Sequence, residues 1–294
     1  MNNTTIIDPK FDRTKTLQYH ISIQLSLDGY ALCILDTSEN KYLVLKYEIF
    51  SKRFTLRQPA MADQFYAKIK EILKEDEFLN NNFKSVKFIY QTSKSTLVPD
   101  ELFEITKLKS YFTFNHKLEL FESINYNKID SIKAYNIFTL PSFLTTILIN
   151  KYKNIEFYHQ LSPFINTIFS KSQKFRNTSN QKKVYVNVAD TFFDIYVADT
   201  QKLYLYNNFH YKTEEDFAYY ILNTFEQQGL NPDFHQLNIS GKNISLNSPE
   251  YNLAKKYIKR IKFLKLNTLF KYSDKMNQIP EHSFVNLFNL YSCA

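Results

Sequence analysis

One alternation of hydrophobic and polar positions is written twice in this chain, about 160 residues apart. The first copy runs Ile23-Gln24-Leu25-Ser26-Leu27-Asp28-Gly29-Tyr30-Ala31-Leu32-Cys33-Ile34-Leu35-Asp36, crosses a polar turn and continues Tyr42-Leu43-Val44-Leu45. The second runs Val184-Tyr185-Val186-Asn187-Val188-Ala189-Asp190-Thr191-Phe192-Phe193-Asp194-Ile195-Tyr196-Val197-Ala198-Asp199, turns through Thr200-Gln201-Lys202, and continues Leu203-Tyr204-Leu205-Tyr206. Apolar and aromatic runs bounded by Asp, Gly, Ser and Asn predict strands joined by tight turns. In the first copy these fall at about 20–27, 30–36 and 42–50. A helix near 60–75 then places Phe65, Ile69, Ile72 and Leu73 on one face, and Val86–Tyr90 returns as a strand. In the second copy the helix opens on a capping box, Thr213-Glu214-Glu215-Asp216, and stops at Gly229. A strand over Leu237–Ser240 leaves through Gly241. Ser248-Pro249 opens a further helix to about Lys259, Ile261–Leu266 reads as a strand, and Phe284–Leu290 is a last apolar element.

Between the copies the pattern predicts a strand near 132–138, a helix after Pro141, a strand at Ile155–Tyr158 and a helix over 161–171. The segment at about 92–130 is less regular, with a short helix from Asp100. Residues 1–18 read as a flexible tail, and the polar stretch 173–182 as a linker. The expected organisation is half I over 19–172, carrying the irregular insertion, and half II over 183–294.

Composition narrows the chemistry. The 294 residues include 27 Phe, 22 Tyr, no Trp and only three glycines. So few glycines leave few places where backbone can lie against a phosphate, which disfavours enzymes built on glycine-rich loops. The net charge of +8 comes from 32 Lys and five Arg. A basic chain can meet nucleic acid, but Arg, the residue suited to bidentate phosphate and base contacts, is scarce. The lysines are dispersed apart from Lys171 to Lys183 and the group Lys255, Lys256, Lys259, Arg260 and Lys262. Two distant cysteines, Cys33 and Cys293, fit a reducing compartment. Met1 to Thr16 lacks the apolar core of a signal peptide, and the longest apolar stretch, Phe138–Ile149, is too short to span a bilayer. A cytoplasmic protein without membrane insertion is expected.

Three strands with hairpin turns, a helix, then alternating strands and helices, given twice, is the plan of a duplicated actin-like ATPase (ribonuclease H-like) fold of α/β class. Three segments carry a narrower likeness: Ile21-Ser22-Ile23-Gln24-Leu25-Ser26-Leu27-Asp28-Gly29, Thr96-Leu97-Val98-Pro99 with Leu102-Phe103, and the apolar C-terminus near Cys293. Through them the chain resembles the uncharacterised bacterial family known as domain of unknown function 3822. The resemblance implies two similar mixed-sheet halves with helices around a cleft.

Working ATPases of this fold wrap β- and γ-phosphates in two glycine-rich hairpin turns, each with an Asp that positions Mg²⁺ and water. The positions that would do so here are Asp28 and Gly29 in the first turn, Asp190 and Thr191 in the second, and Ser240 and Gly241 on the adenine side. Asp28 and Asp190 would hold the metal if Mg-nucleotide binds. The pattern is degraded: Tyr30 and Ala31 follow the first glycine, Phe192 and Phe193 replace the second pair, and Lys242 follows Gly241. Phenylalanine rings at those positions are expected to fill or block a phosphate pocket. Asp-Gly is also a common generic hairpin signal, and Gly241 an ordinary strand exit.

No other chemistry is written clearly. The histidines at 20, 116, 159, 210, 235 and 282 have no zinc spacing, the cysteines form no CxxC, and GxSxG, GxxxxGK[ST] and GxGxxG are absent. The expected function is therefore a degenerate ATPase fold acting as a binding or scaffold module, with no cofactor and with a protein partner. The alternatives are a Mg-ATP-dependent enzyme or switch, and a basic RNA- or ribosome-associated binder.

Overall fold

The computed structural model describes residues 3–170 and 181–293. They divide into two compact units. The N-terminal unit comprises residues 3–162, 269–277 and 290–293; the C-terminal unit comprises 163–170, 181–268 and 278–289. The expected linker 173–182 lies almost wholly outside the described residues.

In the N-terminal unit the chain forms β1 (Thr4–Ile7), β2 (Tyr19–Leu25), β3 (Gly29–Asp36), β4 (Lys41–Ile49), α1 (Pro59–Glu75) and β5 (Ser85–Tyr90). Then come β6 (Ser95–Pro99), α2 (Leu108–Asn115), β7 (Glu122–Ile129), β8 (Ala134–Pro141), α3 (Ser142–Lys151) and β9 (Ile155–Tyr158). The helix α4 (Leu161–Phe169) follows. The C-terminal unit contains β10 (Lys183–Val188), β11 (Phe192–Ala198), β12 (Leu203–His210), α5 (Glu214–Gln227), β13 (Leu237–Ser240), α6 (Pro249–Tyr257) and β14 (Ile261–Phe263). Finally β15 (Lys271–Tyr272) joins the N-terminal unit and α7 (Val285–Asn289) the C-terminal one.

The written repeat is a repeat of topology. The large N-terminal sheet has the order β1-β4-β3-β2-β5-β9, with β15 also on β4; the C-terminal sheet has the order β12-β11-β10-β13-β14. In both, the first strand of the copy pairs antiparallel with the second and parallel with the strand after the helix. The period-2 pattern then sorts side chains onto faces. Ile21, Ile23 and Leu25 share a core with Phe65, Ile69, Ile72 and Leu73 of α1, the four residues that the helical spacing selects. Val184, Val186, Ile195 and Val197 pack with Phe217, Ile221 and Phe225 of α5.

Helix α5 shows how local sequence sets boundaries. Thr213 and Asp216 form the reciprocal capping box. At the other end Gly229 takes φ +64°. The N–H of Leu230 reaches Phe225 O at 2.8 Å and that of Gly229 reaches Glu226 O at 3.0 Å, closing a Schellman turn. Helix α1 ends differently. The buried Asp76 accepts from the N–H groups of Phe78 and Leu79 at 2.8 and 2.9 Å, from Tyr30 Oη at 2.6 Å, and pairs with Lys46 Nζ at 2.5 Å. Burial pushes this carboxyl up, but Lys46, Tyr30 and the two backbone donors outweigh it and hold it below the ordinary value.

Three expectations are corrected. Of the expected tail 1–18, residues 3–18 are ordered structure, since β1 pairs with β4 from Thr4↔Tyr47 to Ile7↔Val44 and a 3₁₀ helix spans Arg13–Gln18. The segment 92–130 is not irregular, since β6 and β7 flank β8 in a three-stranded sheet that α2 packs against through Phe112, Val98 and Ile137. Half II does not keep all of 183–294, because Leu269–Asn277 and residues 290–293 group with the N-terminal unit. The reason lies on the second face of the N-terminal sheet. There His20, Ser22 and Lys87 are buried polar groups, and Lys87 Nζ donates to the carbonyls of Tyr291 and Cys293. Ile89 and Tyr158 pack with Leu290 and Cys293, while Tyr272 stacks on Tyr42 at 5.5 Å.

Two predictions follow from the buried polar groups. His20 lies between Ser85 Oγ (2.8 Å) and Ser22 Oγ (3.0 Å), and His159 between Thr92 O (2.8 Å) and the Leu161 N–H (3.2 Å). Burial is the main cause that lowers both to about 3. The unfolded chain takes up these protons near pH 6.5, the folded one only near 3. Stability is therefore predicted to fall as pH drops through that window, at up to about 1.4 kcal/mol per pH unit for each histidine. Urea unfolding between pH 7 and 4.5 should show it, with a shallower slope for His20→Gln or His159→Gln; equal slopes would refute it. Asp76→Ala, which strands Lys46, is predicted to cost about 2–3 kcal/mol in the same assay.

Candidate functional site

The two hairpin turns singled out in the sequence lie in different units. In the first, the Ser26 N–H closes the turn onto Gly29 O at 2.9 Å, and Ser26 Oγ donates to Asp28 Oδ1 at 2.5 Å. The carbonyls of Asp28 and Leu27 accept from the N–H groups of Phe50 and Phe54, both at 2.8 Å. Asp28 and the turn backbone thus bond to their own hairpin and to the chain beyond β4. Gly29 is needed for a local reason: a Cβ there would lie 2.3 Å from Glu48 O on the paired strand.

The second turn closes in the same way, from the Ala189 N–H to Phe192 O at 2.9 Å. Asp190 is exposed and Thr191 half-buried, and Thr191 O accepts from the Tyr211 N–H at 3.2 Å. The expectation that both phenylalanines fill a phosphate pocket is corrected for Phe193. Strand alternation turns its fully buried ring into the core, against Phe209, Tyr211 and Phe217. Phe192 falls on the opposite face and packs against His210 at 5.8 Å.

Gly241 has φ +129°, a region nearly closed to other residues, and its missing Cβ would meet Val188 O at 2.3 Å. Its N–H donates to His282 O at 2.9 Å. Ser240 is buried and donates to Val186 O and Asn187 Oδ1 at 3.3 and 3.2 Å. Of the predicted residues, Ser240 and Gly241 meet β10, Thr191 meets Tyr211 beyond β12, Gly29 meets β4, and the carboxylate of Asp28 bonds within its own turn. At both glycines the volume a phosphate loop keeps open holds a neighbouring strand's carbonyl oxygen.

A feature the sequence reading passed over runs across the C-terminal sheet. Register places Ser240, Asn187, Asp194 and Asn208 side by side on four strands. Asp194 is fully buried and accepts from Tyr206 Oη at 3.2 Å. Its signal was available: Asn187 and Asp194 interrupt otherwise apolar runs at one period-2 phase. The same face carries Tyr196, on which Phe164 of α4 stacks at 4.6 Å. This row is the polar counterpart of the His20, Ser22 and Lys87 face in the N-terminal unit.

Other candidate chemistry separates in space. Among the described residues no three His, Cys, Asp or Glu side chains are grouped to hold a metal. Both cysteines are buried and unpaired by disulfide. His282 bonds Ile244 O at 2.9 Å and stacks on Phe263 at 4.1 Å. In the basic group after α6, Lys259 pairs with Asp233 at 3.0 Å. No helix among the described residues is long and apolar enough to cross a membrane.

The glycines give a direct test. Gly29→Ala and Gly241→Ala are each predicted to lower stability by about 2–3 kcal/mol with no nucleotide present, from backbone collision and, at 241, φ strain. Unchanged melting temperatures would show that these glycines are kept for something other than strand contact.

Comparison with known proteins agrees with this architecture. A crystal structure from Bacteroides thetaiotaomicron VPI-5482, of a protein with actin-like ATPase fold and unknown function, is 26% identical with TM-score 0.80, and the match covers 97% of this chain and 99% of that one. The PilM-PilN type IV pilus biogenesis complex matches at 7% identity and TM-score 0.58, over 92% of this chain and 97% of that one. Curated proteins give no significant match. The chain therefore has the actin-like ATPase fold, and the family model described as "Protein of unknown function (DUF3822)" matches residues 8–261. The protein belongs to that family.

Proposed function

We propose that this protein is a binding or scaffold module built on an actin-like frame and that it works without nucleotide hydrolysis. One observation carries the reading: the spaces at Gly29 and Gly241 are taken by Glu48 O and Val188 O. A phosphate cradle needs N–H groups that converge on open volume, so that many donors meet the charge at once. Here the N–H groups of Ser26 and Ala189 are spent on closing their own turns. On this reading the residues at these turns do not fit a Mg-nucleotide. A structure of the same fold comes from the PilM-PilN type IV pilus biogenesis complex, which supports reading the frame as one that can serve assembly.

Thermal unfolding with and without 1 mM Mg-ATP, Mg-ADP or Mg-GTP tests this reading. The expected result is an unchanged melting temperature. A nucleotide bound with a Kd near 50 μM would add about 1.8 kcal/mol. Such a rise, lost in Asp28→Asn or Asp190→Asn, would overturn the proposal in favour of a Mg-ATP-dependent activity.

A further inference from the structure

The small sheet β6-β8-β7 carries a groove of about 710 Å³ at the C-terminal end of α2. Helical and loop geometry build it. Phe112 turns inward, fully buried against Val98 and Ile137. Phe114, two residues on, therefore faces outward and is 88% exposed. The helix stops at His116, whose Nε2 lies 2.9 Å from Ser95 O. The chain then runs through the half-buried Leu118, which packs on the small core, to Leu120, which is wholly exposed at 104%. Phe114 and Leu120 thus stand as apolar walls over a Leu118 floor, in water. Such a patch with a polar rim is the mark of an interaction surface.

The charges on the rim say what fits. Glu122 is held by Lys94, with both oxygens 2.9 Å from Nζ, and Glu119 by Lys117 at 3.3 Å. The acids of the groove are thus already neutralised. Lys109, on the same rim, makes no ion pair among the described residues. The charge left to be matched is positive. Resting on the binding-module reading, we propose that this groove docks a short peptide segment of a protein partner. In that segment, aromatic or aliphatic side chains seat against Phe114, Leu118 and Leu120, and an Asp or Glu meets Lys109.

Selection of a random phage-displayed 12-residue library on the full chain tests the proposal, followed by fluorescence anisotropy with a synthetic peptide of the enriched consensus. The expected consensus joins apolar residues to Asp or Glu. Phe114→Ser and Leu120→Ser, both at exposed positions, are expected to weaken binding at least tenfold while leaving the melting temperature unchanged. Lys109→Glu is expected to reject the acidic peptide and accept its Lys-substituted counterpart, a swap that general loss of structure cannot produce. No enrichment, a consensus without acids, or binding unmoved by the three variants would overturn the proposal. Dimerisation of the free protein that Leu120→Ser abolishes, read by sedimentation velocity, would also overturn it and assign the groove to a second copy of the chain. Failure here with flat nucleotide melts removes only the groove; a nucleotide-dependent rise removes the binding-module reading itself.

Discussion

A buried polar face is the constraint on which the N-terminal unit depends. Its large sheet is covered on both sides, yet one side presents His20, Ser22 and Lys87. Buried polar groups must find partners or destabilise the fold. His20 solves this within the sheet, through Ser22 and Ser85. Lys87 is an ammonium that needs acceptors, and on its neighbouring strand the Glu156 carboxylate comes no closer than 3.9 Å. The chain supplies them from more than 200 positions away: the carbonyls of Tyr291 and Cys293 in the last 3₁₀ turn, the orphan acceptors at a helix end. A buried cation and an unsatisfied helix terminus each remove the other's cost. This also fixes why the N-terminal unit is not one continuous stretch of sequence.

That long-range closure explains what the sequence could and could not disclose. The duplicated strands, the face of α1, and both ends of α5 were legible, because each rests on spacing within about twenty residues or on a single cap. Thr213 with Asp216 and Gly229 named their own roles. The strand β1 was not legible, since its four residues count as a strand only once β4 lies beside them. For β15 the case is stronger still, with two residues set parallel to Lys41 and Tyr42. The strand β7 was hidden differently. Glu122–Ile129 sets Ser123, Asn125, Asn127 and Ile129 on one face and Glu122, Ile124, Tyr126 and Lys128 on the other, so neither face reads as a clean apolar stripe.

The candidate site teaches a narrower lesson about glycine. In sequence, Asp28-Gly29 and Ser240-Gly241 say only that a Cβ is unwelcome. They do not say whether the space is kept for a ligand or is already taken by the protein. The structure adds the local reason: at both positions a carbonyl oxygen lies 2.3 Å from where the Cβ would be. Phe193 shows the same limit in reverse: it stands beside the turn but already within β11, where strand parity sends the ring into the core. Asp190 drew notice for its motif position, while Asp194, buried at the centre of a polar row, was masked by the apolar run around it.

The distribution of aromatics separates the repeated frame from the segment inserted in it. With 27 Phe and 22 Tyr, this chain has every opportunity for sticky surfaces. Most of those rings are instead interior, as with Phe65, Phe138, Phe164, Phe193, Phe217 and Phe225. Against that discipline, Leu102, Ile105, Phe114, Leu120, Phe121 and Tyr126 are exposed within 25 positions of one another on the small sheet and its flanks. A three-stranded sheet with one short helix cannot bury so many apolar groups itself; its core is little more than Val98, Phe112 and Ile137. Exposed single residues are ordinary, but a local concentration on one segment outside the internal repeat is not. The repeat buries its rings between sheet and helix, and the insertion, with so thin a core, leaves its apolar side chains in water.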